Sequence, residues 1–288
     1  MAEDYSIPRQ LAHITTRIEC ISINGNVISG TGFFFLFKHD GKTFAPAIIT
    51  NKHVLDRIKK ATLFFTKKDD NNNPIIGETI PCEMQDYQIN KYTINHPDPK
   101  VDLAALFIGE LISQAAEYKK PLYYIGLSKE IIPSADKLKN LSALEEIIMV
   151  GYPIGIWDHV NNMPIFRKGI TATHPSLDYQ GRKEFLVDAA CFPGSSGSPV
   201  FRYKEGLKFS ATGPIKVTGG GPQLELLGIL YAGPQMSIEG VIKIVNIPTK
   251  RVPLSESKIP INIGYVIKAE RLFEIESLID NAFEEHIK

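Results

Sequence analysis

From about residue 10 to residue 108 the chain consists of short apolar, β-branched and aromatic runs broken by turn residues. Ile14 to Ile23 alternates loosely and stops at Asn24-Gly25, a dipeptide that favours a tight hairpin. Gly30-Thr31-Gly32 leads into the unbroken apolar run Phe33-Phe34-Phe35-Leu36-Phe37, and His39-Asp40-Gly41-Lys42 turns the chain again. Ala47 to Thr50, Ala61 to Thr66 and Val101 to Ile108 read as further strands. The polar stretch Lys67 to Pro74, with Asp69-Asp70-Asn71-Asn72-Asn73 inside it, reads as an exposed loop.

Residues 109–120 look like a crossing segment with a helical turn over Leu111 to Tyr118. A second strand-rich half follows. Its landmarks are Ile147 to Val150, Gly169 to Thr173, Phe185 to Val187, Val200 to Tyr203, Leu224 to Tyr231 and Ile261 to Ile267. From Ala269 the apolar positions change period. Leu272, Phe273, Ile275, Leu278, Ile279, Ala282 and Phe283 fall near a 3.6-residue spacing, which predicts an amphipathic terminal helix. Two strand-rich halves and one helix make the chain all-β, most simply two barrels or two sandwiches. The expected division is 10–118, 119–267 and a terminal helix over 268–288.

Composition narrows the function classes. Of 288 residues, 43% are hydrophobic, and 32 Lys+Arg balance 32 Asp+Glu. Neutrality gives no electrostatic case for nucleic acid or an anionic membrane, so neither is an expected partner. No apolar run approaches the roughly 18 residues of a spanning helix. The N-terminal Met1-Ala-Glu-Asp-Tyr-Ser-Ile-Pro has neither the basic nor the apolar part of a secretory signal. Cys20, Cys82 and Cys191 are odd in number and far apart, which argues against a disulfide framework or a zinc site. The expectation is a cytoplasmic protein with reduced thiols and no metal or other cofactor.

Three segments carry chemistry. In Phe192-Pro193-Gly194-Ser195-Ser196-Gly197-Ser198-Pro199 a serine lies among glycines between two strands. Such a turn suits an exposed nucleophile, with backbone amides of the Gly194-Ser195-Ser196 stretch converging as an oxyanion hole. An ordinary Ser/Gly/Pro loop is the plainer reading of that stretch alone. His53, just past an apolar strand in Thr50-Asn51-Lys52-His53-Val54, is a candidate base near neutral pH, though a lone histidine is more often structural. Asp102 in Val101-Asp102-Leu103-Ala104 is costly to bury unless paired, and an imidazole N–H would satisfy it. Together they fall in the chain order His, Asp, Ser, with the first two in one half and the serine in the other, as a cleft between the halves requires.

With these motifs the chain resembles the trypsin-like serine peptidases, and within them the HtrA/Deg-like peptidase domains. The likeness runs from about Gly30 to Ile267. Gly30-Thr31-Gly32-Phe33 is similar to the family's glycine-rich strand, and Thr50 to Val54 and Asp102-Leu103-Ala104 to its histidine and aspartate motifs. Gly151-Tyr152-Pro153-Ile154-Gly155, Asp188-Ala189-Ala190 through Pro199, and Leu226 to Gly233 resemble its later segments. The resemblance implies two six-stranded antiparallel β-barrels of chymotrypsin type with a C-terminal helix. It also implies a serine endopeptidase with catalytic His53, Asp102 and Ser196 and an oxyanion hole at Gly194, Ser195 and Ser196.

By the same resemblance the specificity pocket has its base near Ala190 and Cys191. Tyr231, Ala232 and Gly233 form one wall and Gly264 another. None of these is charged, so an apolar residue is expected before the cut. The partner is a protein or peptide substrate, with a regulatory protein as a further possible partner. Two departures stand out: Ser198 replaces a usual glycine, and Ser195 replaces the aspartate that would bind a newly cut N-terminus. The second implies latency until a partner or ligand binds. No PDZ module is expected after Ile267. The alternative is an inactive domain of this type serving as a protein-binding module.

Other signals are weaker. Gly219-Gly220-Gly221 reads as a turn, because no Lys-Ser/Thr follows it as in a phosphate loop. Lys250 to Lys258 reads as a solvated loop. Trp157 and His159 either line the cleft or pack their own loop. His13, His39, His96, His174 and His286 have no evident partners.

Overall fold

The computed structural model describes residues 7–39, 43–153, 157–204, 223–233, 235–241, 254–260 and 262–287. The Gly219 to Gly221 turn, Ile154, Gly155 and residues 40–42 lie outside them. The first half contains α1 (Ile7–Leu11), β1 (Thr15–Ser22), β2 (Val27–His39), β3 (Thr43–Thr50), α2 (Lys52–Leu55), β4 (Ile58–Lys68) and β5 (Pro74–Gln85). It continues with α3 (Asp86–Tyr92), β6 (Thr93–Asn95), β7 (Ala104–Phe107), α4 (Gly109–Glu117) and β8 (Leu122–Tyr123). The second half contains α5 (Ala135–Lys139), β9 (Glu146–Gly151), β10 (Ile165–Thr171), β11 (Glu184–Asp188), β12 (Pro199–Lys204) and β13 (Gln223–Ala232). β14 (Gln235–Val241), β15 (Leu254–Pro260), β16 (Ile263–Lys268) and α6 (Leu272–Ile287) complete the chain.

The second half is a closed six-stranded barrel in the order β10-β11-β16-β13-β12-β9. The first half departs from the expected six-stranded barrel. It is an eight-stranded antiparallel sheet, β5-β4-β1-β2-β3-β7-β6 with β8 added on β4, and its end strands β5 and β6 do not pair among the described residues. The reason lies between them. α3 joins these two strands and packs on β4, β5 and β7, with Ile89 buried beneath it. β6 has only three residues with which to reach a partner. The stretch Lys250 to Lys258 is also more ordered than a solvated loop where it is described, since Leu254–Pro260 pairs antiparallel with β14.

The Phe33 to Phe37 run is continuous because β2 is buried on both faces. Phe33, Phe35 and Phe37 join a core that includes Val150, Phe201, Leu226 and Ile229 of the barrel. Phe34 faces the other way, onto Ile18, Ile48, Leu63 and Phe65. α6 seals the first of these cores with Leu272, Ile275 and Ile279, the apolar stripe read from its spacing. One hydrophobic core therefore bridges the sheet and the barrel and fixes the cleft between them. Among the described residues no helix is long and apolar enough to cross a membrane.

A buried ion-pair cluster braces the barrel. Arg202 donates from Nε to Glu145 at 2.8 Å and from Nη1 to Glu225 at 3.0 Å, and Lys204 approaches Glu145 at 3.1 Å. Burial works against the Glu145 charge. Bonds from Arg202, the Ser142 amide and Lys204 outweigh it and hold the carboxyl below its ordinary range. The folded protein therefore binds this proton more weakly than the unfolded chain does. The stabilisation is complete above the unfolded carboxyl range, roughly pH 4.3, and is lost as pH falls through the folded value. Glu145→Gln is expected to lower stability at pH 7 by about 3 kcal/mol and to flatten the acid limb of a melting-temperature profile, read by calorimetry across pH.

Candidate active site

His53 is carried by α2, the single helical turn that follows β3. Val54 and Leu55 bury into the sheet core, which leaves His53 on the outer side, facing the cleft. Asp102 precedes β7, with Leu103 buried directly after it. Its carboxylate holds the histidine at two points. Oδ2 lies 2.5 Å from His53 Nδ1, and Oδ1 accepts the His53 backbone N–H at 3.1 Å. With Nδ1–H donating to the carboxylate, Nε2 is left as an acceptor.

The backbone around Asp102 is pinned in turn. Asn51 Nδ2 donates to the Asp102 carbonyl at 2.7 Å, and Lys52 Nζ donates to the carbonyls of His96 and Asp98 at 2.9 and 3.0 Å. His96, which has no evident partner in the sequence, is buried there. Its Nδ1 accepts the Asp98 amide at 3.1 Å, and its Nε2 lies 3.2 Å from Glu274 of α6.

Ser196 comes from the barrel half, in the second of two four-residue turns that share Ser195. The Ser195 amide donates to the Phe192 carbonyl at 3.0 Å, and the Ser198 amide to the Ser195 carbonyl at 3.0 Å. Each turn has glycine at its third position with φ in the left-handed region, +86° at Gly194 and +87° at Gly197. Among the described residues neither the Gly194 amide nor the Ser196 amide donates a hydrogen bond, although Gly194 is buried. Two unspent N–H donors thus flank the serine. The Ser196 hydroxyl itself makes no hydrogen bond among the described residues, to His53 or to any other group.

Thr31, at the centre of the Gly30-Thr31-Gly32 motif, ties the two halves together at this point. Its amide donates to the Ser196 carbonyl at 2.8 Å, and its hydroxyl donates to the Gly194 carbonyl at 2.9 Å and accepts the Tyr152 amide at 2.9 Å. Its own carbonyl accepts the Thr50 hydroxyl at 2.8 Å, three residues before His53. A Cβ on Gly197 would lie 2.0 Å from that same carbonyl. Gly197→Ala therefore meets both a forbidden backbone and a fixed atom. It is expected to abolish any reactivity of Ser196 while the far-ultraviolet circular dichroism of the protein is retained.

Ser198 does not strain its turn. Its side chain fills the space left by Gly151, where a Cβ would come within 2.1 Å of the Ser198 hydroxyl. The serine in place of the usual glycine is matched by the absence of a side chain across from it.

Beside Ser196 a cavity of about 200 Å³ is lined by Cys191, Phe192, Pro193, Leu230, Ala232 and Gly233. Of the residues expected to shape a pocket, Cys191, Ala232 and Gly233 thus line this cavity. Gly264 is behind this cavity, with the side chains of Cys191 and Leu230 against it. Tyr231 sends its hydroxyl to Glu184 at 2.9 Å, and the Ala190 carbonyl accepts a bond from Arg167, so neither lines the space. A larger cavity of about 520 Å³ opens beside His53 and Asp102, with Arg57, Asn90 and Asn95 on its walls. Trp157 packs its own surroundings. The Arg17 guanidinium is held between the Trp157 ring, 4.2 Å from its centroid, and the Phe64 ring at 3.9 Å.

Residues 30–207 match the family model for the trypsin-like peptidase domain. A comparison with curated proteins found no match. Among solved structures, the inactive form of Rv3671c from M. tuberculosis is 14% identical, with 94% of this chain and 87% of that one covered at a TM-score of 0.42. The active form of that protease is 13% identical, with 92% and 80% covered, also at 0.42. The tobacco vein mottling virus protease is 12% identical, with 89% and 77% covered at 0.43. The matched segment takes in more than half of the chain and reaches from the second strand of the open sheet into the closed barrel: this chain belongs to the trypsin-like peptidase domain family.

Proposed function

We propose that the chain is a serine endopeptidase in which Ser196 Oγ attacks a peptide carbonyl and His53 Nε2 takes its proton. The reading is carried by one observation, the two-point hold of Asp102 on His53, which fixes the ring with Nε2 free. The charge that develops on the carbonyl oxygen is met by the unspent amides of Gly194 and Ser196, with the Ser195 peptide between them as their spacer. Such donors contribute roughly 3 kcal/mol each to the transition state. His53 then protonates the leaving amine, and water repeats the cycle on the acyl-enzyme. No step needs a metal or organic cofactor. Three unpaired thiols agree with a reducing, cytoplasmic setting.

The uncharged cavity beside Ser196 supports cleavage after an apolar residue, with Cys191, Ala232 and Gly233 contacting that side chain and Ala190, Tyr231 and Gly264 supporting the walls. A peptide library digested by the protein is expected to show aliphatic residues before the cut. A profile dominated by Arg or Lys overturns this assignment. The missing Ser196-to-His53 hydrogen bond favours two further readings: latency relieved by a substrate or regulatory partner, and an inactive domain that only binds protein. Hydrolysis by the purified protein alone removes both. Hydrolysis only with an added partner supports the first.

A further inference from the structure

Arg167 on β10 has no part in the sequence motifs, yet its guanidinium reaches the segment that leads to Ser196. Nη1 donates to the Ala190 carbonyl at 2.7 Å, and the guanidinium carbon sits 4.7 Å from the centroid of the Phe192 ring. Nε is buried without a partner, and no carboxylate pairs with the side chain among the described residues. A partly desolvated cation without a counter-ion is unfavourable unless something else holds it. Here the described contacts are one carbonyl and one aromatic face, two residues apart on the same strand of chain.

That stretch has two functions. Cys191 and Phe192 are walls of the cavity beside Ser196, and Phe192 is also the first residue of the turn that contains Gly194. The turn is not fixed by its own sequence. Proline at the second position and glycine at the third are compatible with both type I and type II turns. Exchanging one for the other turns over the Pro193–Gly194 peptide and reverses the Gly194 N–H. Thr31 holds the downstream side of the turn through the Gly194 carbonyl. On the upstream side, Arg167 grips residues 190 and 192.

We propose that Arg167 is a positioning residue for this site: by clamping the Ala190 carbonyl and the Phe192 ring, it keeps the Gly194 amide aimed at the substrate oxygen and the neighbouring cavity open. The inference rests on the serine-peptidase reading for its kinetic consequence but not for its structural one. It also gives Ser195 a simple context, since this clamp needs no buried carboxylate and no inserted N-terminus.

The test compares the wild type with Arg167→Met, which keeps the aliphatic length, and Arg167→Lys, which keeps the charge but not the flat stacking group. Peptide hydrolysis is normalised to sites labelled by a fluorophosphonate at completion. Amide hydrogen exchange over residues 190–196 and the melting temperature are read in parallel. Arg167→Met is expected to lower kcat about 30-fold or more, with a smaller rise in KM, and to speed exchange in that segment about tenfold. Arg167→Lys is expected to recover part of both. Unchanged kcat with only a lower melting temperature makes Arg167 a merely structural residue and overturns the proposal. So does unchanged exchange over residues 190–196. A wild type that neither hydrolyses peptide nor labels at Ser196 defeats the peptidase reading, while the exchange comparison still decides whether Arg167 holds the turn.

Discussion

Ser196→Ala is expected to lower kcat for peptide hydrolysis by about 10⁶-fold, to background in any ordinary assay. The hydroxyl makes no hydrogen bond among the described residues, so its removal leaves no partner unsatisfied. Stability should stay within about 0.5 kcal/mol of the wild type, with substrate affinity retained because the adjoining cavity keeps its walls. The assay is initial-rate hydrolysis of a peptide found by library screening, beside a thermal melt. Hydrolysis by Ser196→Ala at more than about one per cent of the wild-type rate would remove the nucleophile from the account, since an oxyanion hole and binding alone leave far less.

Asp102→Asn is expected to have the next largest effect, about 10⁴-fold on kcat. The reason follows from the two contacts of the carboxylate. An amide in this position keeps its oxygen on the His53 backbone N–H and turns its NH₂ toward Nδ1. Nδ1 must then accept, and the ring proton moves to Nε2, where it blocks transfer from Ser196. KM should move little, because Asp102 lies away from the cavity beside Ser196. Steady-state kinetics at fixed pH checks this. An Asp102→Asn enzyme within tenfold of the wild type would mean that the imidazole tautomer does not matter to the reaction.

What the sequence shows of this protein divides along a physical line. Local patterns are legible. The hairpin at Asn24-Gly25, the doubly buried β2, the barrel strands and the stripe of α6 all follow from side-chain period and turn chemistry. The presence of the serine turn is equally local, because Gly194 and Gly197 take left-handed φ values and Pro193 suits the second position of a turn. The open edge of the first sheet was not legible. α3 has one buried residue, Ile89, too few to show a helical period, and only the reciprocal Gln85 and Gln88 capping bonds mark its start. β15 was hidden for a similar reason, since Ser-Glu-Ser-Lys carries no apolar alternation.

The contacts that assemble the site were also beyond local reading. Thr31 meets Gly194 and Tyr152 at sequence separations of 163 and 121 residues. Arg167 meets Ala190 and Phe192 on the segment that leaves the neighbouring strand β11. Gly151 makes room for Ser198 without any motif that joins them. The resemblance to trypsin-like peptidases proposed His53, Asp102 and Ser196 as the chemical residues, but it did not name the groups that surround them.

The most direct test of the central claim is covalent. A fluorophosphonate added to the purified wild type should add one adduct per chain, mapped by mass spectrometry to Ser196. His53→Ala should slow that reaction by at least about 10³-fold, since His53 is the base to which the proposal assigns the serine proton. An unlabelled Ser196, or labelling at an undiminished rate without His53, would contradict the account.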